Sequence, residues 1–211
     1  DDIEREVKPT EAAGFPVFWV RRPGEASEEV CGVPQGPLES FRGWLEKADL
    51  ESLKVSITTP GAITANLRST PAGIATLISK LPAEDLKRKP SVGDWCLTEI
   101  ICHLRDVERE VNLPRFRKIL VDVNPFIASV DTDLWAEERA YTNEDCKQAL
   151  EEFTCARKES LELLNGLQNE WSRRARHSAL GSTSLQELAG FSARHDRLHV
   201  QQIWKTMDGR W

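Results

Sequence analysis

LTEIICHLRDVEREVNLPRFRKIL, Leu97 to Leu120, carries the pattern that sets the fold class. Ile100, Leu104, Val107 and Val111 recur at i, i+4, i+7 and i+11, the spacing of one face of an α-helix, and predict a helix from about Leu97 to Leu120. Pro114 lies inside that span without a backbone N–H, so a kink or an early stop is expected there.

The helical period extends in both directions. Upstream, Thr59-Pro60 and Thr70-Pro71 each place a capping hydroxyl before a proline suited to a first helical turn, which fits one kinked helix or two short ones. LPAEDLKRKPSVGDW, Leu81 to Trp95, is a break. Downstream, residues 121–142 form a long connection, of the kind that serves as a lid or carries a short helix. A third helix is expected from Asn143, with Leu150, Phe153, Leu161 and Leu164 inward and a stop near Asn165-Gly166. A last helix opens on the capping box Ser184-Leu-Gln-Glu187 and runs to about Met207. The fold class is therefore mainly α, an up-and-down four-helix bundle over residues 59–211. Residues 1–58 differ in character and read as a small α+β extension. Strands are expected at Phe15 to Arg22 and Leu53 to Ile57, a Gly/Pro loop through Cys31 to Pro37, and a short helix around Leu38 to Glu46.

Composition bounds the function. Among 211 residues, 40% are hydrophobic and 29% charged, and no apolar run approaches the ~20 residues of a membrane span, so a soluble protein is expected. The net charge of -6, with basic residues interspersed among acidic ones, argues against nucleic acid as a partner. Five cysteines without CxxC spacing point to reduced thiols, and the start DDIEREV has no signal-peptide character, so a cytoplasmic location is expected.

Three of the four histidines lie on faces expected to point into the bundle. On the helix from Leu97, Glu99, His103, Asp106 and Glu110 form a polar stripe one residue from the apolar stripe, with His103 nearest to it. The outer carboxylates have a simpler reading as solvated or paired groups. On the last helix, His195 and His199 are four residues apart, so both imidazoles leave one face. Two ligands from one helix and one from another make a three-nitrogen set with an open coordination position for a divalent metal. Glu99 and Asp106, one turn either side of His103, are candidate acceptors for an imidazole N–H or a general base. The order HDRLH lacks the glutamate of a zincin, and no Glu-x-x-His pair, phosphate loop or Gly-x-Ser-x-Gly elbow occurs.

These segments resemble the DinB-like superfamily of metal-dependent four-helix proteins, which includes thiol-dependent S-transferases and the mycothiol-dependent maleylpyruvate isomerase. The resemblance runs from about Ala62 to Thr206. It is carried by DWCLTEIICHLRDVERE (Asp94 to Glu110), RHSALGSTSLQELA (Arg176 to Ala189) and ARHDRLHVQQIW (Ala193 to Trp204). It implies His103, His195 and His199 as ligands of a divalent metal, zinc or nickel by ligand type, and a homodimer would be in keeping with it. The helix cap usually filled by Ser is Cys96 here, and the first 58 residues have no counterpart in the family pattern.

The expected function is that of a metal-dependent enzyme that activates a low-molecular-weight thiol, or water, for transfer or isomerisation on a small electrophile. The alternatives are hydrolysis of a small ester or amide and a non-catalytic metal-binding stress protein. His177 reads as a turn residue, Cys102 as a buried small side chain, and Arg157 as a partner for Asp106 or Glu110 or an outward-reaching side chain. Trp95, Trp135, Trp171 and Trp204 read as packing, with Trp135 also placed to cover a substrate.

Overall fold

The computed structural model describes residues 3–22, 32–48 and 55–207, and the chain divides into two units, Asp1–Ala62 and Ile63–Trp211. In the first, a π-turn leads into α1 (Lys8–Ala12), with Pro9 in the first turn where its missing N–H costs nothing. The expected strand at Phe15 to Arg22 shrinks to β1 (Trp19–Val20), paired in parallel with β2 (Gln35–Gly36), which arises within the expected loop. Cys31, Leu53 and Lys54 lie outside the described residues, and Val55, Ser56 and Ile57 form no strand. Instead Ser56 N donates to Gly14 O at 2.8 Å. Gly14 has φ +81°, and a Cβ there would collide with the Ser56 carbonyl, so glycine is required. The expected short helix is α2 (Leu38–Lys47), whose Phe41 and Trp44 cluster with Phe18 at centroid distances of 5.5–5.9 Å.

Thr59 and Thr70 do not start two helices. A single helix, α3 (Pro60–Ile78), runs through Pro71, and Thr59 Oγ1 accepts from Ala62 N at its start. A proline inside a helix leaves the carbonyl four residues earlier without its donor. That carbonyl is Leu67 O, and it accepts from Arg157 Nη1 at 2.9 Å, so a side chain takes the place of the lost backbone bond.

The break after α3 carries α4 (Ala83–Lys87). The deciding helix then forms as α5 (Leu97–Val107), a π-turn (Glu108–Asn112) and α6 (Leu113–Val121). Pro114 falls in the first turn of α6, so the helix neither stops nor simply kinks. The change of register ahead of the proline absorbs its missing donor, a common use of π-turns near functional sites. The connection that follows holds β3 (Phe126–Ile127), α7 (Trp135–Glu138) and a 3₁₀ turn (Tyr141–Asn143).

Asp145 caps α8 (Cys146–Leu164) by accepting from Gln148 N, and Gly166 follows with φ +75°. After a 3₁₀ turn (Asn169–Ser172), β4 (Arg174–His177) and β5 (Gly181–Ser184) form an antiparallel hairpin with β3 parallel to β4, giving strand order β3-β4-β5. The last helix, α9 (Leu185–Met207), begins on the expected capping box: Ser184 N donates to Glu187 Oε2 at 2.7 Å and Glu187 N to Ser184 Oγ at 3.2 Å.

α3, α5 with α6, α8 and α9 make the four-helix bundle. Ile74 and Ile78 of α3, Leu97, Ile100, Ile101 and Leu104 of α5, Phe153 of α8 and Ile203 of α9 share one core. Each side chain of this size contributes about 1.5–3 kcal/mol by leaving water. Leu161 is only half-buried, whereas Arg157, on the same helix, is buried. No helix among the described residues is long and apolar enough to cross a membrane.

Candidate metal centre

All eleven residues of α5 are buried, so the polar stripe at its edge is interior. His103 leaves α5 toward α9, where His195 and His199 stand one turn apart. His103 Nε2 lies 3.2 Å from His195 Nε2, and His199 Nε2 lies 3.1 Å from the same atom. The ligand-capable atoms of the three rings all fall within 4.8 Å of one another. Nitrogens about 2.1 Å from one common ion stand roughly 3.0–3.4 Å apart as their angle opens from a right angle to tetrahedral. The two contacts at His195 Nε2 fall in that range.

Hydrogen bonding among the rings does not explain the arrangement. A ring nitrogen carries either one proton or one lone pair, so at most one of the two contacts at His195 Nε2 is a well-directed hydrogen bond. A cation accepts all three lone pairs. The second nitrogen of His199 supports this orientation: Gln202 Oε1 lies 2.8 Å from Nδ1 and accepts its proton, which leaves the lone pair on Nε2. Nδ1 of His103 and Nδ1 of His195 are buried without a hydrogen-bond partner among the described residues.

Electrostatics keep the rings neutral, the state in which imidazole is a ligand. His103 is pushed down to about 3, first by burial and then by repulsion from His199 and His195, against the opposing charge of Asp106. His195 falls to about 4 through burial, His199 and Arg157, opposed by Glu108. Burial also lowers His199, against Gln202 and Asp196. Trp95 flanks the trio, 5.0 Å from His103 and 6.2 Å from His199 between ring centroids, and stacks on the latter.

Glu99 and Asp106 are buried near His103 but spend their oxygens elsewhere. Glu99 accepts from Cys96 N at 2.8 Å, making a capping box at the start of α5, and from Lys89 Nζ at 2.9 Å. Asp106 accepts from Arg105 Nε at 2.7 Å, Arg139 Nη1 at 2.8 Å and the Tyr141 hydroxyl at 2.7 Å. Burial would raise the Asp106 carboxyl, but these donors outweigh it and hold it below the usual carboxylate range. Among the described residues neither carboxylate hydrogen-bonds to an imidazole. Asp106 reaches His103 through its charge.

Arg157 pairs with neither Asp106 nor Glu110, both of which are taken by Arg139. It lies in a closed ion cluster with Glu108 and Asp196. Nη1 donates to Asp196 Oδ2 at 2.5 Å, Nη2 to Glu108 Oε2 at 3.0 Å, and Nε stands 3.0 Å from Glu108 Oε1. Two residues separate Glu108 from Asp106, about 200° around a helix, so the two carboxylates face opposite partners. Burial pushes the Asp196 carboxyl up, against the pull of the Arg157 guanidinium. Neither Glu108 nor Asp196 stands out in the sequence pattern. The available signal was the buried position of Arg157, which demands carboxylates.

The remaining residues fall into place around this centre. His177 Nδ1 accepts from Ala179 N and Leu180 N at 3.2 and 3.3 Å, making it a turn residue. The Cys102 thiol is buried and is pushed up to about 12, chiefly by that burial. Trp135 packs against the core beneath the Arg139 guanidinium, 3.8 Å from the ring centroid. A cavity of about 270 Å³ opens beside His195, walled by Val107, Val111, Phe116, Leu188 and Phe191. Val130 and Thr132 of the long connection line it as well.

The family model of the DinB superfamily matches residues 66–203, which include all three histidines. The chain belongs to this superfamily. Its fold is also that of YfiT from Bacillus subtilis, described as a probable metal-dependent hydrolase with an unusual four-helix bundle topology. The TM-score is 0.63 at 17% identity, covering 92% of this chain and 95% of that one. No curated protein matches the chain in sequence.

Proposed function

We propose that this chain is a metal-dependent hydrolase of a small ester or amide, with His103, His195 and His199 as the ligands of a divalent ion. The observation that carries this reading is the approach of His103 Nε2 and His199 Nε2 to His195 Nε2, at 3.2 and 3.1 Å, with His195 on the wall of an apolar cavity. A divalent ion with three imidazole ligands supplies an electrophile and lowers the pKa of a bound water toward neutrality. The chain's own part is to hold the rings neutral, to fix His199 through Gln202, and to brace α9 beside His195 through the Arg157–Glu108–Asp196 cluster. Nitrogen ligands suit zinc and nickel.

The cavity of about 270 Å³ is close to the ~300–1,000 Å³ typical of ligand pockets, room for a small substrate and water. The likeness to a fold described as that of a probable metal-dependent hydrolase is consistent with this. In this reading Glu99 and Asp106 act by building α5 and by their charge.

The test is turnover of a panel of small esters and amides by zinc- or nickel-loaded protein, with and without chelator and with and without added thiols. Chelator-sensitive, thiol-independent cleavage that disappears in His199→Ala is the expected result. Strictly thiol-dependent turnover moves the protein to the transferase reading, and failure to take up metal removes the centre altogether.

A further inference from the structure

Arg115 and His177 are among the polar groups on the cavity wall, with Asn112, Thr132 and Ser192. Arg115 enters from α6, half-exposed, and spends one N–H on Ala128 O at 2.8 Å. It has no carboxylate partner among the described residues, in contrast to Arg105, Arg139 and Arg157. Burial loosens its hold on the proton, and no carboxylate opposes that effect. His177 enters from the end of β4. Its Nδ1 is already an acceptor for two backbone N–H groups, so the neutral ring carries its proton on Nε2, and no described residue takes that proton. Burial and the Arg115 charge both lower the His177 pKa, which places the two groups within electrostatic reach of each other.

A guanidinium with unused donors and an N–H donor on the wall of one apolar cavity match a carboxylate attached to an apolar body. We propose that this cavity selects small apolar molecules bearing a carboxylate, held by Arg115 and His177 so that the susceptible bond is presented to His195. The proposal rests on the metal-centre reading for its chemistry, but the anion subsite is independent of metal.

That independence sets the experiment. Phenylacetate and its neutral isostere phenylacetamide are titrated into metal-free wild-type protein and metal-free Arg115→Gln, with binding followed by calorimetry or by chemical shifts of the cavity residues. Wild type is expected to bind the acid at least about tenfold more tightly than the amide, the size of a charge-assisted hydrogen bond. In Arg115→Gln the preference should vanish while the amide binds within about twofold of wild type. Equal binding of acid and amide by wild type overturns the proposal whatever the variant does, as does a preference that survives in Arg115→Gln or no binding of either probe. Zinc uptake, measured in parallel on both proteins, reports on the metal reading alone: loss of uptake with the acid preference intact breaks that reading and not this one.

Discussion

Two buried polar clusters lie on either side of α9, one residue apart in sequence at His195 and Asp196, and they are built on opposite principles. The Arg157–Glu108–Asp196 cluster is paired by charge, because cation and carboxylates face each other at 2.5–3.1 Å and the freed Leu67 carbonyl takes a further donor, although Arg157 Nε and Glu108 Oε1 stand together without a directed hydrogen bond. The histidine trio has no such pairing, because three like groups converge, repel one another's protonation and leave two Nδ1 atoms without partners among the described residues. A self-compensated cluster stabilises a fold. An uncompensated one, held in place by its compensated neighbour, is the arrangement expected of a binding site.

The sharpest way to break the comparison is Arg157→Met. It leaves Glu108 and Asp196 buried without their cation, and a loss of about 3–5 kcal/mol in urea unfolding is expected. A loss under about 1 kcal/mol would mean that the cluster is not what anchors α9. The trio should behave in the reverse manner. Without metal, His199→Ala is expected to leave stability within about 1 kcal/mol of wild type. With zinc at a hundredfold excess over its dissociation constant, wild type should gain about 2.7 kcal/mol that the variant lacks. Parallel melting curves with and without zinc decide this, and an equal zinc response in both proteins removes His199 from the site.

A smaller effect is expected from Gln202→Leu, which takes away the acceptor that fixes His199. Zinc affinity should fall by about 10–100-fold with the metal-free melting temperature little changed, as read by competition with a chromogenic chelator. Smallest, and dependent on pH, is Asp106→Asn. The folded Asp106 pKa lies below its unfolded value near 3.9, so its stabilisation is fully present above that pH and is lost as pH falls through the lower folded value. The stability gap between wild type and Asp106→Asn, about 1–3 kcal/mol at pH 7, should therefore close below pH ~4. A gap that is constant across this range would show that the hydrogen bonds of Asp106 do not depend on its charge.

What the sequence determined by itself was local or periodic. The apolar stripe from Ile100 to Val111, the capping box Ser184–Glu187 and the i, i+4 pair His195 and His199 each follow from the 3.6-residue turn, and each stands in the structure as its spacing requires. The hairpin Arg174 to Ser184 escaped notice because RARH and GSTS lack the β-branched alternation that marks a strand, and pairing alone defines them. Pro71 and Pro114 were legible as disturbances, but not as a continuous α3 whose freed carbonyl is taken by Arg157, or as a π-turn. Tertiary structure alone decided which of the three carboxylates Asp106, Glu108 and Glu110 meets Arg157 and which meet Arg139, and that Arg115, without a carboxylate partner among the described residues, shares a cavity with His177 and His195. The physical reason is range. Helix geometry fixes which side chains share a face, whereas the partner of a buried charge comes from another element, and only the packing of whole helices sets which one lies within 3 Å.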